Sequence, residues 1–320
     1  MSEQGKLLGY YDYWVNGVTL SHWRLLQRIP SSQPAGLQDE VRDHSIVGAQ
    51  FSLTNYDAAA EVALAVDPAK LKTIYQILLH GSQATGDTCE FSDVDVLVVI
   101  DDSHIFTDAD HRLAMSGLQT LLKSMFLFDP LMHHGFMFML RSTFTHYDEA
   151  FLPVETLRRA KILFGPRMIN VRTEPTPETN RKTRLKAAAA SLNRRLHRGD
   201  LEKDDYACKS VLSGLLLMPS LLLESINVFR YKRESFSIAP REFAALDWSA
   251  IRHAEDLRLR WKRPATVGLQ HLIAKVMHPH AIIRLSHLQP PKANVTSLFR
   301  NDSDAFKKSC KEFLDCIAGL

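Results

Sequence analysis

The chain has 320 residues, of which 45 % are hydrophobic and 23 % charged, and its 39 Lys and Arg nearly balance 36 Asp and Glu for a net charge of +3. This is the composition of an ordinary globular protein long enough for two domains, and it excludes a partner chosen by overall charge, although a local basic surface is compatible with it. Four scattered cysteines, Cys89, Cys208, Cys310 and Cys316, form no C-x-x-C pair, which argues against a disulfide framework or zinc ribbon and favours a reducing compartment.

The opening MSEQGKLLGYYDYW lacks the basic start and apolar core of a secretory signal. The longest apolar run, 211–223, is shorter than a bilayer span and contains Pro219, so it reads as a buried helix. The expectation is a cytoplasmic protein with no membrane partner. Residues 10–18 mix aromatics with an Asn16-Gly17 turn signal and predict a hairpin; 31–36 is a loop, and 45–53 is strand-like. Residues 1–57 carry no recognisable chemistry and read as an N-terminal extension.

A core is expected over 58–169. Asp67-Pro68 predicts a helix start, with Leu71, Ile74 and Leu78 on one face, delivering the chain through a short strand or turn at 78–80 into the loop at Gly81-Ser82. Asp93 and Asp95 follow on a strand continuing through 96–100, where alternation puts both carboxylates on one face and Val94 on the other. Like charges that close need a cation between them, and a divalent metal with hard oxygen ligands, such as Mg²⁺, is the usual solution. Gly81 and Ser82 can bring backbone N–H groups and a hydroxyl to a phosphate, and Gly86 permits a tight turn. Phosphate cradle and paired carboxylates on one hairpin suggest metal-assisted nucleotidyl transfer. Separately, the GS and D-x-D dipeptides are weak signals; joined at this spacing they are much more specific.

Gly81-Ser82, ten residues, then Asp93-Val94-Asp95 resembles the signature of the DNA polymerase β-like nucleotidyltransferase superfamily, with spacing closest to the minimal bacterial nucleotidyltransferases and their aminoglycoside-adenylylating relatives. The resemblance implies an α+β fold, with a mixed sheet and flanking helices followed by an all-helical domain. It also implies two Mg²⁺ (or Mn²⁺) ions held by Asp93 and Asp95, and an NTP, ATP by resemblance, whose phosphates meet Ser82. The family's third acid comes from a later strand, expected here at 136–140, which contains none. His133 or His134 at its entrance could substitute, His134 as ligand or proton acceptor, although histidine suits Mg²⁺ less well than oxygen. Asp129, Asp148, Glu149 and Glu155 are alternatives from neighbouring loops.

Further along, 108–126 and 156–160 predict helices, 161–166 closes the core, and the proline-bearing 170–179 reads as a linker. A helical domain is expected over 180–320. In 181–198, Leu185, Ala189, Leu192 and Leu196 form an apolar face and Arg181, Lys182, Lys186, Arg194, Arg195 and Arg198 a basic one, which is a solvated face, an RNA contact or a contact to the nucleotide across the cleft. Residues 204–229 predict an apolar helix broken near Pro219, and 240–250, 251–261, 267–278 and 305–318 further helices. Lys232, in a segment resembling the lysine-bearing one of aminoglycoside adenylyltransferases, is the first candidate to grip the triphosphate; Lys209 is the second. His278-Pro279-His280 reads as a surface turn. The acceptor is left open among a small molecule, a nucleotide, RNA and a protein hydroxyl. The alternative is a degenerate nucleotidyltransferase fold that binds nucleotide, RNA or a partner without turnover.

Overall fold

The computed structural model describes residues 3–16, 41–50, 63, 65–132, 135–264, 292–299 and 303–320. In chain order the first half comprises α1 (Glu3–Tyr11), β1 (Arg42–Val47), β2 (Ala49–Gln50), β3 (Ile74–His80), α2 (Gly81–Thr85), β4 (Asp95–Ile100), α3 (Asp108–Phe128), β5 (Met137–Leu140), β6 (Tyr147–Asp148), α4 (Val154–Arg159), β7 (Lys161–Phe164) and β8 (Met168–Glu174). Helices follow: α5 (Glu178–His197), α6 (Asp200–Lys203), α7 (Asp205–Leu215), α8 (Met218–Ser225), α9 (Lys232–Glu242), α10 (Ser249–Arg260), α11 (Ala293–Leu298) and α12 (Ser303–Ala318). The fold is α+β, with mixed sheets in the first half and a helical region after them.

β3 and β4 are the centre of a five-stranded sheet of order β2-β7-β3-β4-β5, in which β3 runs antiparallel to β4 and β7 while β5 runs parallel to β4. β4 is nearly continuous in apolar residues because both its faces are covered. Val96, Val98 and Ile100 pack with α3, whereas Leu97 and Val99 pack toward β1, β8 and α4. Thr107 and Asp110 form a reciprocal capping box that fixes the start of α3. A second sheet, β1-β8-β6, lies over that second face.

Several local expectations are corrected. Only Pro68–Lys70 turns helically after Asp67; Ile74–His80 is strand, because two sheet neighbours bury its largely apolar residues, which outweighs the helical spacing of Leu71, Ile74 and Leu78. Residues 10–16 are helical rather than a hairpin: α1 continues as a π-helical turn, and the Asn16 side chain donates to Phe136 O at 2.8 Å and accepts from Phe136 N at 2.9 Å. The supposed linker from 170 is β8 up to Glu174, paired along its length with β1. The helix expected at 240–250 begins instead at Lys232 and ends at Glu242. The helix expected at 267–278, the histidines at 278 and 280, and residues 17 and 51–53 lie outside the described residues.

In the helical region the buried face of α5 is Leu185, Ala189, Leu192 and Leu196, as its spacing predicts. The stretch Asp205–Ser225 is long and apolar enough to cross a membrane by length and composition, yet it is divided into α7 and α8 and 72 % of its apolar 18-residue window is buried within the protein. Phe91 and Leu131, from the loops around β4 and α3, join this helical core, so the two halves share apolar packing.

Glu224 on α8 is buried 3.4 Å from Arg184. Burial pushes its carboxyl up to about 7 against the pull of Arg184, with Asp148 and Glu149 adding to the rise. A carboxyl raised in the fold contributes stability at acid pH that is lost as pH climbs through that value. Glu224→Gln is therefore expected to gain on the order of 2 kcal/mol over the natural protein at pH 8 and little at pH 5, checked by urea unfolding at both.

Candidate active site at the β3–β4 hairpin

Register brings the two halves of the motif together. His80, the last residue of β3, pairs with Asp95, the first of β4, so Gly81 lies against the Asp95 carboxylate. Gly81 has φ +67°, and a Cβ there would collide with that carboxylate. Only glycine satisfies both demands. Gly81→Ala is expected to cost roughly 1–2 kcal/mol of stability from backbone strain alone and to displace Asp95, visible as a lowered Tm together with a larger loss of activity. Ser82 occupies the first turn of α2, and Gly86, at φ +79°, closes that helix with its N–H on Ser82 O at 3.0 Å.

The strand begins only at Asp95, so Asp93 stands in the irregular segment just before it. Alternation nevertheless holds: Val94 is buried with Val96 in the core beneath α3, leaving Asp93 and Asp95 on the opposite side and partly exposed.

Lys209, the second phosphate candidate, is buried and already ion-paired. It lies on α7, 1 % exposed, with its ammonium 2.6 Å from Asp93 Oδ1 and also bonded to Asp129 Oδ2. Burial pulls its pKa down, and Asp93 and Asp129 outweigh that pull, so it stands above an ordinary lysine. Asp129, at the end of α3, is itself buried, and desolvation raises its carboxyl even with Lys209 opposing. The buried lysine thus ties the helical region to the base of the carboxylate pair.

Lys232 begins α9. It is an exposed residue whose pKa is lowered by desolvation, while the charges of Asp95 and Asp93 oppose the fall and Arg258 adds to it. Around it, Tyr231 Oη lies 3.0 Å from Thr85 Oγ1, Arg233 is ion-paired with Asp87, and Arg159 stacks over Tyr231 and reaches Glu234 at 2.5 Å. The start of α9 is therefore pinned to the segment that follows Ser82. Sequence reasoning missed Arg263, which donates to Ser92 O at 3.0 Å, covers the Phe128 ring at 3.8 Å and is influenced by Asp129 and Asp93. Nothing local signals it, since its contacts reach back across 171 positions.

His133 and His134 lie outside the described residues. The other third-acid candidates are engaged away from the hairpin: Asp148 with Thr176 and Ala150 N, Glu149 with Val154 N, and Glu155 with Arg158. Glu149 and Glu155 line a cavity of about 260 Å³ with Arg42 and Arg230. On α5, Lys182, Arg195 and Arg198 are paired with Glu178 or Asp200 and Arg181 bonds Thr176 O, so much of the basic face is spent internally.

Two partly exposed carboxylates at one strand end, with a glycine making room for one of them, form a hard oxygen donor set that fits a Mg²⁺-class cation whose remaining ligands are waters and phosphate oxygens. Among the described residues no group of three or more His, Cys, Asp or Glu is arranged to hold a metal.

Residues 68–125, from the turn before β3 into α3, match the family model of the nucleotidyltransferase domain. No curated protein and no solved structure matches the chain. The match supports nucleotidyl transfer as the general chemistry. The segment that carries Gly81, Ser82, Asp93 and Asp95 is thus similar to a nucleotidyltransferase domain, a match consistent with the polymerase β-like superfamily that those residues resemble.

Proposed function

We propose that the protein transfers a nucleoside monophosphate, AMP from ATP by resemblance, onto an acceptor hydroxyl. The acceptor oxygen bonds to the α-phosphorus, the bond to the pyrophosphate oxygen breaks, pyrophosphate leaves, and the hydroxyl proton passes to solvent. Asp93 and Asp95 hold Mg²⁺ or Mn²⁺, which when bound lowers the pKa of the acceptor hydroxyl and neutralises charge on the leaving pyrophosphate. Ser82 and the backbone at Gly81 hold the phosphates from the β3 side. Lys232 approaches from α9 and meets the same phosphates with a positive charge. The observation that carries this reading is the β3–β4 register that sets Gly81, at the start of α2, against the Asp95 carboxylate.

A second reading, nucleotide binding without turnover, draws on the absence of a third metal-poised acid among the described residues. Pyrophosphate release from each of the four NTPs with Mg²⁺ or Mn²⁺, with and without cell extract as a source of acceptor, separates the two. Release abolished in the Asp93→Ala/Asp95→Ala variant supports transfer. Nucleotide binding with no release under any condition leaves the binding reading standing.

A further inference from the structure

Resting on the reading that Asp93 and Asp95 hold a divalent cation, we infer that Lys209 sets which cation the site prefers. It holds Asp93 by one oxygen and withdraws Asp129 from the donor set, so that a small octahedral ion of the Mg²⁺ class is favoured over Ca²⁺. The ammonium is 2.6 Å from Asp93 Oδ1, bonds Asp129 Oδ2 and lies 5.6 Å from the Phe91 ring centre, with 1 % of its side chain exposed. An ion pair so enclosed has no room to swing away. A carboxylate fixed by one oxygen cannot present both to the same cation.

That restriction discriminates between ions. Ca²⁺ takes six to eight oxygens at longer range and readily accepts both oxygens of one carboxylate, whereas Mg²⁺ demands near-ideal octahedral geometry from single oxygens and keeps its waters. Asp129 shares the Lys209 ammonium with Asp93. Released from Lys209 it would add a third carboxylate, and a higher count of charged ligands also favours Ca²⁺. Partners that hold a ligand from behind commonly change metal affinity by about 10- to 100-fold when removed.

The experiment uses the full chain and measures Mn²⁺ binding by electron paramagnetic resonance, with Mg²⁺ and Ca²⁺ as competitors. Its readout is the ratio of their affinities, and it is independent of turnover. The principal variant is Lys209→Met/Asp129→Leu, which removes the buried pair together and leaves no isolated charge at Asp129; Lys209→Met alone and Asp95→Asn accompany it. Loss of a positive charge raises the affinity of both competitors, so the ratio isolates geometry. The inference expects the double variant, folded by circular dichroism, to shift the Ca²⁺-to-Mg²⁺ ratio toward Ca²⁺ by about tenfold. Lys209→Met alone should shift it further, because Asp129 is then released. An unchanged ratio in a folded double variant overturns the inference while leaving nucleotidyl transfer intact. Failure of the natural protein to bind Mn²⁺, or binding that Asp95→Asn does not weaken, overturns the metal reading and the inference with it.

Discussion

Asp93→Asn and Asp95→Asn are each expected to lower nucleotidyl transfer by about a thousandfold, or about 4 kcal/mol of transition-state stabilisation. Each substitution removes one negative charge from the pair proposed to hold the cation while changing side-chain volume very little. The two should differ in stability, which separates chemistry from folding. Asp93 is an ion-pair partner of the buried Lys209, so Asp93→Asn leaves that ammonium with Asp129 alone and lowers Tm. Asp95 lies half-buried at the start of β4 and partners His80 through the backbone, which Asn preserves, so Asp95→Asn should lower Tm less than Asp93→Asn does. Steady-state rates alongside thermal unfolding of both variants check the prediction. Equal activity of either variant and the natural protein contradicts it.

Lys209→Met is expected to destabilise the fold by about 3–5 kcal/mol, because it strands Asp129, 2 % exposed, and the lower part of Asp93 without their counter-charge. At this chain length that corresponds to a fall in Tm on the order of 10 °C. Urea unfolding of the variant and the natural protein measures the difference. A Lys209→Met variant as stable as the natural protein would mean that the ammonium contributes nothing to the joining of the two halves.

The parts of the site that were legible in the sequence are those that lie on one hairpin. Gly81, Ser82, Asp93 and Asp95 are brought together by a single antiparallel register, so their spacing carries their geometry. The apolar face of α5 and the capped helix α3 were legible for the same local reason. β3 was not, because Leu71, Ile74 and Leu78 happen to fall at helical spacing, and only the strands on either side decide the matter. β8 was hidden by the prolines that follow it, although Ile169, Val171 and Thr173 alternate inward along it and the period was there to be read. The pairing of Lys209 with Asp129 spans 80 positions and links a helix of one half to the end of a helix in the other. No local pattern encodes such a contact, which is why Lys209 read as a phosphate-binding candidate and its burial emerged only from the packing of α7.

The most direct test of the central claim follows the α-phosphate itself. NTPs labelled at that position are incubated with the protein, a divalent cation and fractionated cell extract, beside the Asp93→Asn/Asp95→Asn variant. Nucleotidyl transfer at this hairpin predicts label joined to an acceptor by the natural protein alone, and the fraction that carries it names the acceptor class. Nucleotide bound by both proteins, with label never leaving the nucleotide pool, would contradict it.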